Sequence, residues 1–438
     1  MTSLINEAAI SADTVSITYS IYENIWHFIS LPYDVKMSEI GVDDRTNWVI
    51  RYYDGAKRAE GADKNATWVT LTMEDTLKAH QGYILQCSHA DQDYANIVFP
   101  ALDNANKNNI FAHSATEVKL QSHEADLRQN RHWNLVGNPF PCYYDTRRLD
   151  FDAPITVYWA YEDWGGFRTG YRAYSPIDDD YILLPGEAFF IQKPETVDAI
   201  LFATEGRQTD IAPHTLSSAR SKSFRRSPAY ASQRKVFNLY LKQGEMNDRA
   251  RFIINEAASA DYDSRTDAAK FRSDDARTSE LYTLDKGVEY AIQERPLADG
   301  IVRLGARFGK ADSYTLSLES KAADRITLID HVTKIETVLN DGDYTFEAEA
   351  GESTDRFEIR MGDVSGVESA QAARTPRVWS ENGRISIADN DNATAEVYTA
   401  DGRLVTRRQG NGQISVAPGV YIVKVNHLSY KVAVYSNK

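Results

Sequence analysis

Apolar and polar positions alternate with a period of two along most of this chain, in short runs interrupted by Asp-Gly, Asn-Pro and Pro-Gly pairs. Val236-Phe237-Asn238-Leu239-Tyr240-Leu241 shows the pattern clearly. Successive side chains of a strand point to opposite faces, so such a run reads as a half-buried β-strand. Few segments keep a helical period, and the punctuation is that of antiparallel strands joined by turns. The expected class is all-β.

An internal repeat organises the first half. Trp26-His27-Phe28-Ile29-Ser30-Leu31-Pro32-Tyr33 returns as Trp133-Asn134-Leu135-Val136-Gly137-Asn138-Pro139-Phe140. Each copy continues with an aromatic strand (48–53, then 155–161), a glycine-led strand (from Gly82, then from Gly186) and a closing apolar strand (97–99, then 200–202). Landmarks in register about a hundred residues apart mark a duplicated β-rich unit. The tryptophan and its alternate neighbours should face a core, and the proline after each first strand removes a ladder donor and ends pairing. Repeats are therefore expected over 1–112 and 113–206.

Residues 207–234 change character: Ser217-Ser218-Ala219-Arg220-Ser221-Lys222-Ser223 is polar and basic, which reads as a connector. Beyond it, strands are expected at 236–241, 251–254, 289–292, 301–308, 314–318, 326–330, 344–348 and 356–361, enough for a jelly-roll-like β-sandwich over 235–362. Residues 256–280 are polar and irregular, suited to a loop with a short helix. A second connector, 363–376, precedes a small terminal region, 377–438, whose strands are tightly punctuated. Asp401-Gly402 between two of them marks a hairpin, since a tight turn needs positive φ there. This region is expected to be an immunoglobulin-like sandwich.

Length, charge and cysteine content narrow the picture further. A chain of 438 residues exceeds one hydrophobic core. Its 49 basic and 63 acidic residues give a formal charge of −14, which repels polyphosphate and sets nucleic acid aside. Cys87 and Cys142 are the only cysteines; they are either one bridge or two buried thiols, and they exclude a disulfide scaffold. No stretch has the roughly 20 apolar residues of a membrane helix. The first residues, Met1-Thr2-Ser3-Leu4-Ile5-Asn6-Glu7, carry no basic n-region or apolar h-region, so an exported protein would begin here after its signal.

The terminal pattern, Val397-Tyr398, Asp401-Gly402-Arg403-Leu404-Val405, Pro418-Gly419-Val420-Tyr421-Ile422-Val423-Lys424-Val425 and Lys431-Val432-Ala433-Val434, resembles the C-terminal sorting domain of type IX secretion substrates in Bacteroidetes. The resemblance covers the last sixty or so residues, and Asp341 to Phe346 with Arg356 to Ile359 are similar to segments found upstream of such modules. It implies export to the outer-membrane surface, the secretion and anchoring machinery as partner, and Asp401, Gly402, Arg403, Pro418, Gly419, Tyr421 and Lys431 as module residues. The chain departs from the pattern by running on through Tyr435-Ser436-Asn437-Lys438.

HExxH, GxSxG, P-loop and GxGxxG patterns are absent, and the nine histidines show no ligand spacing. The expectation is a non-enzymatic surface protein for adhesion, matrix building or ligand presentation. One constellation suits a ligand: Tyr158, Trp159, Tyr161 and Trp164, with Phe167, Tyr171 and Tyr174 following. Aromatic faces cover the C–H surface of a sugar while carboxylates such as Asp178 and Asp180 take its hydroxyls. Alternate residues of a strand point to opposite faces, so half of the set must instead pack a core. The run Asp178-Asp179-Asp180 reads either as a solvated acidic turn or as oxygen ligands for calcium, and Asp389-Asn390-Asp391-Asn392 reads as a turn. No other cofactor is expected.

Overall fold

The computed structural model describes residues 3–8, 12, 14–61, 65–101, 113–163, 166–211, 234–297, 300–361, 377–381, 383–388, 394–400, 402–425 and 428–435. They fall into two compact units, 1–362 and 363–438. Both are built from β-strands; the one α-helix among the described residues, Gly55–Ala59, is five residues long and capped by the Asp54 carboxylate. Most of the Ser/Arg-rich connector, the stretch 363–376 and the acidic run 389–392 lie outside the described residues.

The two repeats share one topology. In the first, the strands order as His27–Ser30, Gly82–His89, Thr46–Tyr53, Trp68–Thr70; in the second, as Trp133–Gly137, Ala188–Gln192, Ile155–Asp163, Gly166–Tyr174. The closing strands Tyr94–Pro100 and Ala199–Phe202 each pair back to the strand that opens their repeat, Ser16–Tyr22 and Thr116–Lys119. Each repeat has its own apolar core, around Ile50, Leu85 and Phe99 in one and Ile155, Ile191 and Phe202 in the other.

The register corrects one detail of the sequence alignment. Ser30 pairs with Gly82 as Gly137 pairs with Ala188, so the counterpart of Gly186 is His80 and not Gly82. Gly186 and His80 both take left-handed backbone, at φ 67° and 65°. Gly82 is needed for a different reason: a Cβ there would lie 2.5 Å from Leu135 Cγ and 2.9 Å from Ala188 Cβ.

Those contacts cross between the repeats, and they are reciprocal. Ser30 N–H donates to Gly186 O at 2.8 Å, and its counterpart Gly137 N–H donates to His80 O at 3.0 Å. Ile29 bridges Glu187 as Val136 bridges Gln81. The repeats therefore meet through the same surface on each, the arrangement of a two-fold symmetric dimer within one chain.

Downstream, the expected sandwich forms with its two halves joined by continuous hydrogen bonding. Eleven strands make one sheet in which Met246–Ile254 runs parallel to Val288–Arg295 and the other pairings are antiparallel. The sheet folds over a single core: Phe346, near one edge, meets Phe357 edge-on at 5.0 Å, and the Tyr344 hydroxyl donates to Asp330 Oδ2 at 2.9 Å. Residues 256–279 form no helix; turns and the short strand Ala268–Ala269 pass through a buried polar layer instead.

Repeats and sandwich are not separate bodies. Trp133, Phe190, Tyr262 and Tyr290 share a core with Phe28, Tyr53, Trp68 and Phe271, drawn from all three segments. Trp133 is buried as expected, whereas Trp26 is half-buried beneath the Arg51 guanidinium at 4.9 Å.

The C-terminal unit is a sandwich of a three-stranded and a four-stranded sheet. Ile385, Ile387, Val397, Val423, Val425, Val432 and Val434 fill the space between them. Gly402 takes φ 87° in the turn closed by its N–H on Thr399 O, the glycine role foreseen at that hairpin. Gly419 begins a strand immediately after Pro418, and the Tyr421 hydroxyl reaches back to Ala417 O at 2.8 Å. Arg403 and Lys431 are exposed, and Asp401 is outside the described residues.

Candidate binding groove beside the repeat 2 hairpin

The hairpin Ile155–Asp163 and Gly166–Tyr174 puts its aromatics on two faces. Its register pairs Val157 with Arg172, Trp159 with Gly170 and Tyr161 with Arg168, so these six share one face. Tyr158 and Tyr171 share the other. Tyr158 stacks on Phe28 at 4.6 Å and meets Tyr171 at 5.4 Å inside the core between the repeats and the sandwich. Burial pushes its phenol up to about 12. Tyr158 is thus a packing residue, as alternation requires of half the set.

Trp159 and Tyr161 occupy the open face. The indole lies over Gly170, where a Cβ would come within 2.5 Å of Trp159 Cζ2; glycine is what lets the ring settle on the neighbouring strand. Trp159 Nε1 is enclosed and has no hydrogen-bond partner among the described residues. Tyr161 is 42% exposed.

Opposite this face lies the turn between Lys235–Gln243 and Met246–Ile254, formed because Gly244 adopts φ 56°. Two hollows result, of about 560 and 230 Å³, and Tyr161, Glu245 and Met246 line both, so they form one open groove. The smaller has Trp159, Tyr174 and Tyr181 along it, with Tyr174 stacked on Tyr181 at 4.4 Å. Arg168, Gln243, Lys310 and Asp312 are among the residues that line the larger. Arg172 is fixed across the groove, Nη2 donating to Asn247 O at 2.7 Å and to its Oδ1 at 2.9 Å. Aromatic faces beside anchored amides, carboxylates and guanidinium groups are the ingredients of a site for a neutral, hydroxyl-rich ligand.

The acids foreseen for this platform stand elsewhere. Asp178 is gripped by Arg234, whose Nη1 and Nη2 lie 2.8 Å from its two oxygens. Asp179 is buried and bound by Arg249 and Arg251. Asp180 is exposed, with Arg147 Nη1 at 3.2 Å. Asp178 and Asp179 are thus taken by buried arginines, with Arg251 within reach of both, while Asp180 turns to Arg147; the three form no common oxygen cage for calcium, and only Asp180 behaves as a solvated acid. Among the described residues no group of three His, Cys, Asp or Glu side chains converges as a metal site. Trp164 lies outside the described residues.

The groove's acids come from Glu245, Asp312 and Glu162. The turn at Gly244 was not singled out in the sequence, and only the tertiary fold shows that it meets a hairpin some eighty residues upstream.

Residues 144–361 match a family described as a domain of unknown function (DUF8693). No curated protein and no solved structure matches the chain. The matched span opens within repeat 2, crosses the connector and ends at Met361, the last residue of the sandwich's final strand. Both walls of the groove lie inside it. Among the described residues no helix is long and apolar enough to cross a membrane.

Proposed function

We propose that this chain is a non-enzymatic binding protein displayed outside the cell, that its groove takes a carbohydrate on Trp159 and Tyr161, and that its C-terminal sandwich serves export and anchoring. The observation that carries the binding reading comes from the duplication. Matching the two registers places Ile50 with Ile155 and Tyr53 with Tyr158, so the counterpart of Trp159 is Asp54. In repeat 1 the strand stops there and Asp54 caps a one-turn helix. In repeat 2 the strand runs on through Trp159 and Tyr161 to Asp163. The shared part of the fold does the packing in both copies; the extension that bears the aromatic face is specific to the second.

Affinity electrophoresis or calorimetry against a panel of neutral polysaccharides tests this directly. Saturable binding that weakens by about tenfold in Trp159→Ala and Tyr161→Ala variants with unchanged near-UV circular dichroism supports it, since a well-stacked ring contributes up to about 1.5 kcal/mol and about 1.4 kcal/mol is tenfold. A panel without a binder, or binding indifferent to both substitutions, rejects it. The export reading rests on the compactness of the terminal sandwich as a unit of its own and on the resemblance of its strands to sorting modules. Fusing residues 377–438 to a periplasmic reporter should bring the reporter to the surface of a suitable Bacteroidetes host; a reporter that stays inside overturns that part.

A further inference from the structure

A third hollow, of about 290 Å³, shares no lining residue with the aromatic groove. We infer that it is a binding site for an oxyanion, the carboxylate, sulfate or phosphate group of a small ligand, held by Arg128, Arg131 and Arg265. The inference is independent of the sugar groove.

The first argument is charge. The chain is acidic overall, at −14, yet three guanidinium groups line this one cavity. Two acids line it with them, and a third, Asp261, paired to Lys286, lies within electrostatic reach of Arg128. Glu195 is 79% exposed and no closer than 3.8 Å to Arg131, a pair worth little in water. Asp263 uses Oδ1 to accept the Arg265 N–H at 3.0 Å and so shapes the loop that carries that arginine. Guanidinium groups present paired N–H donors that match the spacing of oxygens on a carboxylate or a tetrahedral oxyanion.

The second argument is construction. Arg128 and Arg131 sit on a tight turn held from beneath by buried polar groups. Gln192, 3% exposed, donates through Nε2 to Arg128 O at 2.8 Å and Arg131 O at 2.9 Å, and its Oε1 accepts from the Tyr262 hydroxyl at 2.5 Å. Trp133 Nε1 donates to Gln129 O at 2.8 Å. Arg265 is aimed by its own bond, Nη2 to Thr196 Oγ1 at 2.6 Å. By contrast, Arg128 Nη1 is 3.5 Å from Tyr262 O, the outer limit of a hydrogen bond. Gln192 thus locks the repeat 2 turn to the 259–265 loop, so the site is preorganised and an anion would lose little affinity to ordering it. His132 is not one of the anion's donors: burial lowers its pKa, Nδ1 accepts from His123 N–H, and Nε2 faces Glu124 Oε1 at 3.5 Å.

The test is isothermal titration of the whole chain, at low ionic strength, with sodium sulfate, inorganic phosphate, glucuronate and, as neutral control, glucose. Saturable binding of at least one anion and none of glucose is expected, and the tightest of the three identifies the group. The Arg128→Gln, Arg265→Gln double variant should weaken binding by about tenfold or more. Glu195→Gln alters an exposed side chain that cannot threaten the fold, and it should tighten binding modestly, by about twofold, by removing a nearby negative charge. Absence of saturation with all three anions overturns the inference, as does an affinity unchanged by Glu195→Gln and by the double variant.

Discussion

Arg251 grips Asp179 with both ends of its guanidinium fork: Nη1 lies 2.8 Å from Oδ2 and Nη2 2.7 Å from Oδ1. The two residues belong to the sandwich and to repeat 2, and both are at least nine-tenths buried. Arg249 adds a third bond to the same carboxylate, Nη1 to Oδ1 at 2.8 Å. This closed network, together with Arg234 on Asp178 and Glu294, makes a single body of segments that the sequence presents as separate domains.

Asp179→Asn should therefore destabilise the 1–362 unit by about 3–5 kcal/mol, the usual cost of leaving a buried charge without its partner. Burial alone would raise the Asp179 pKa, but Arg249 and then Arg251 outweigh it and hold the carboxyl below its ordinary value. A carboxylate lowered in the folded state gives stability that is complete above its unfolded pKa, near 3.9, and is lost as pH falls through its folded value. Urea melts from pH 3 to 7 should show the wild-type protein weakening only at the acid end, and the variant uniformly weaker with a flatter acid limb.

Alternation and turn chemistry made most strands legible, from Lys235–Gln243 to Gly351–Met361, and the duplicated landmarks revealed the repeat. Three strands of this region escaped, the two-residue Ala268–Ala269 among them. Glu280–Asp285 is buried on both faces over its first four residues and shows no alternation, and Ile335–Val338 lies at a sheet edge where polar side chains suffice. The aromatic groove was legible on the hairpin wall, because Trp159 and Tyr161 are two apart on one strand. Its other wall was not. Nor was the fate of Asp178 and Asp179, since a charged run looks the same in sequence whether water or buried arginines receive it. The polar segment 256–279 misled for that reason: Asp267 and Lys270 are buried, with Lys270 paired to Asp248.

Glu187 stands where repeat 1 has Gln81, at the contact between the repeats. Burial pushes its carboxyl up to about 7, although the Tyr181 hydroxyl and Leu184 N–H donate to it. The folded state then keeps a proton that the unfolded chain releases near pH 4.3. The resulting stability is complete below that pH and is lost as pH rises towards 7. Glutamine mimics the protonated form and is already used in the other copy. Glu187→Gln should equal the wild type at pH 4 and exceed it by about 3 kcal/mol at pH 8, as read from denaturant melts at the two values.

Cys87 and Cys142 are both free and at most 3% exposed, in the cores of different repeats. Burial raises both thiols, Cys142 to about 12, and only the thiolate is reactive. The native protein should leave Ellman's reagent unreacted over minutes at pH 8 and release two equivalents once unfolded in urea. Rapid reaction of the native protein would show that one of these cores opens readily.

The last expectation concerns Gly170, whose missing side chain seats the Trp159 ring. An added Cβ would meet the indole at 2.5 Å from Cζ2 and 2.8 Å from Cε2, well inside contact distance. Strand propensity alone favours alanine slightly over glycine, so the cost of Gly170→Ala falls on the ring's position and not on the hairpin. The indole must lift from the strand into the groove it lines. Carbohydrate affinity should drop by about tenfold, similar to Trp159→Ala, while the melting temperature changes by only a few degrees, since the hairpin remains anchored through Tyr158 and Tyr171 on its other face. A Gly170→Ala protein with full affinity would mean that the ligand does not touch this ring.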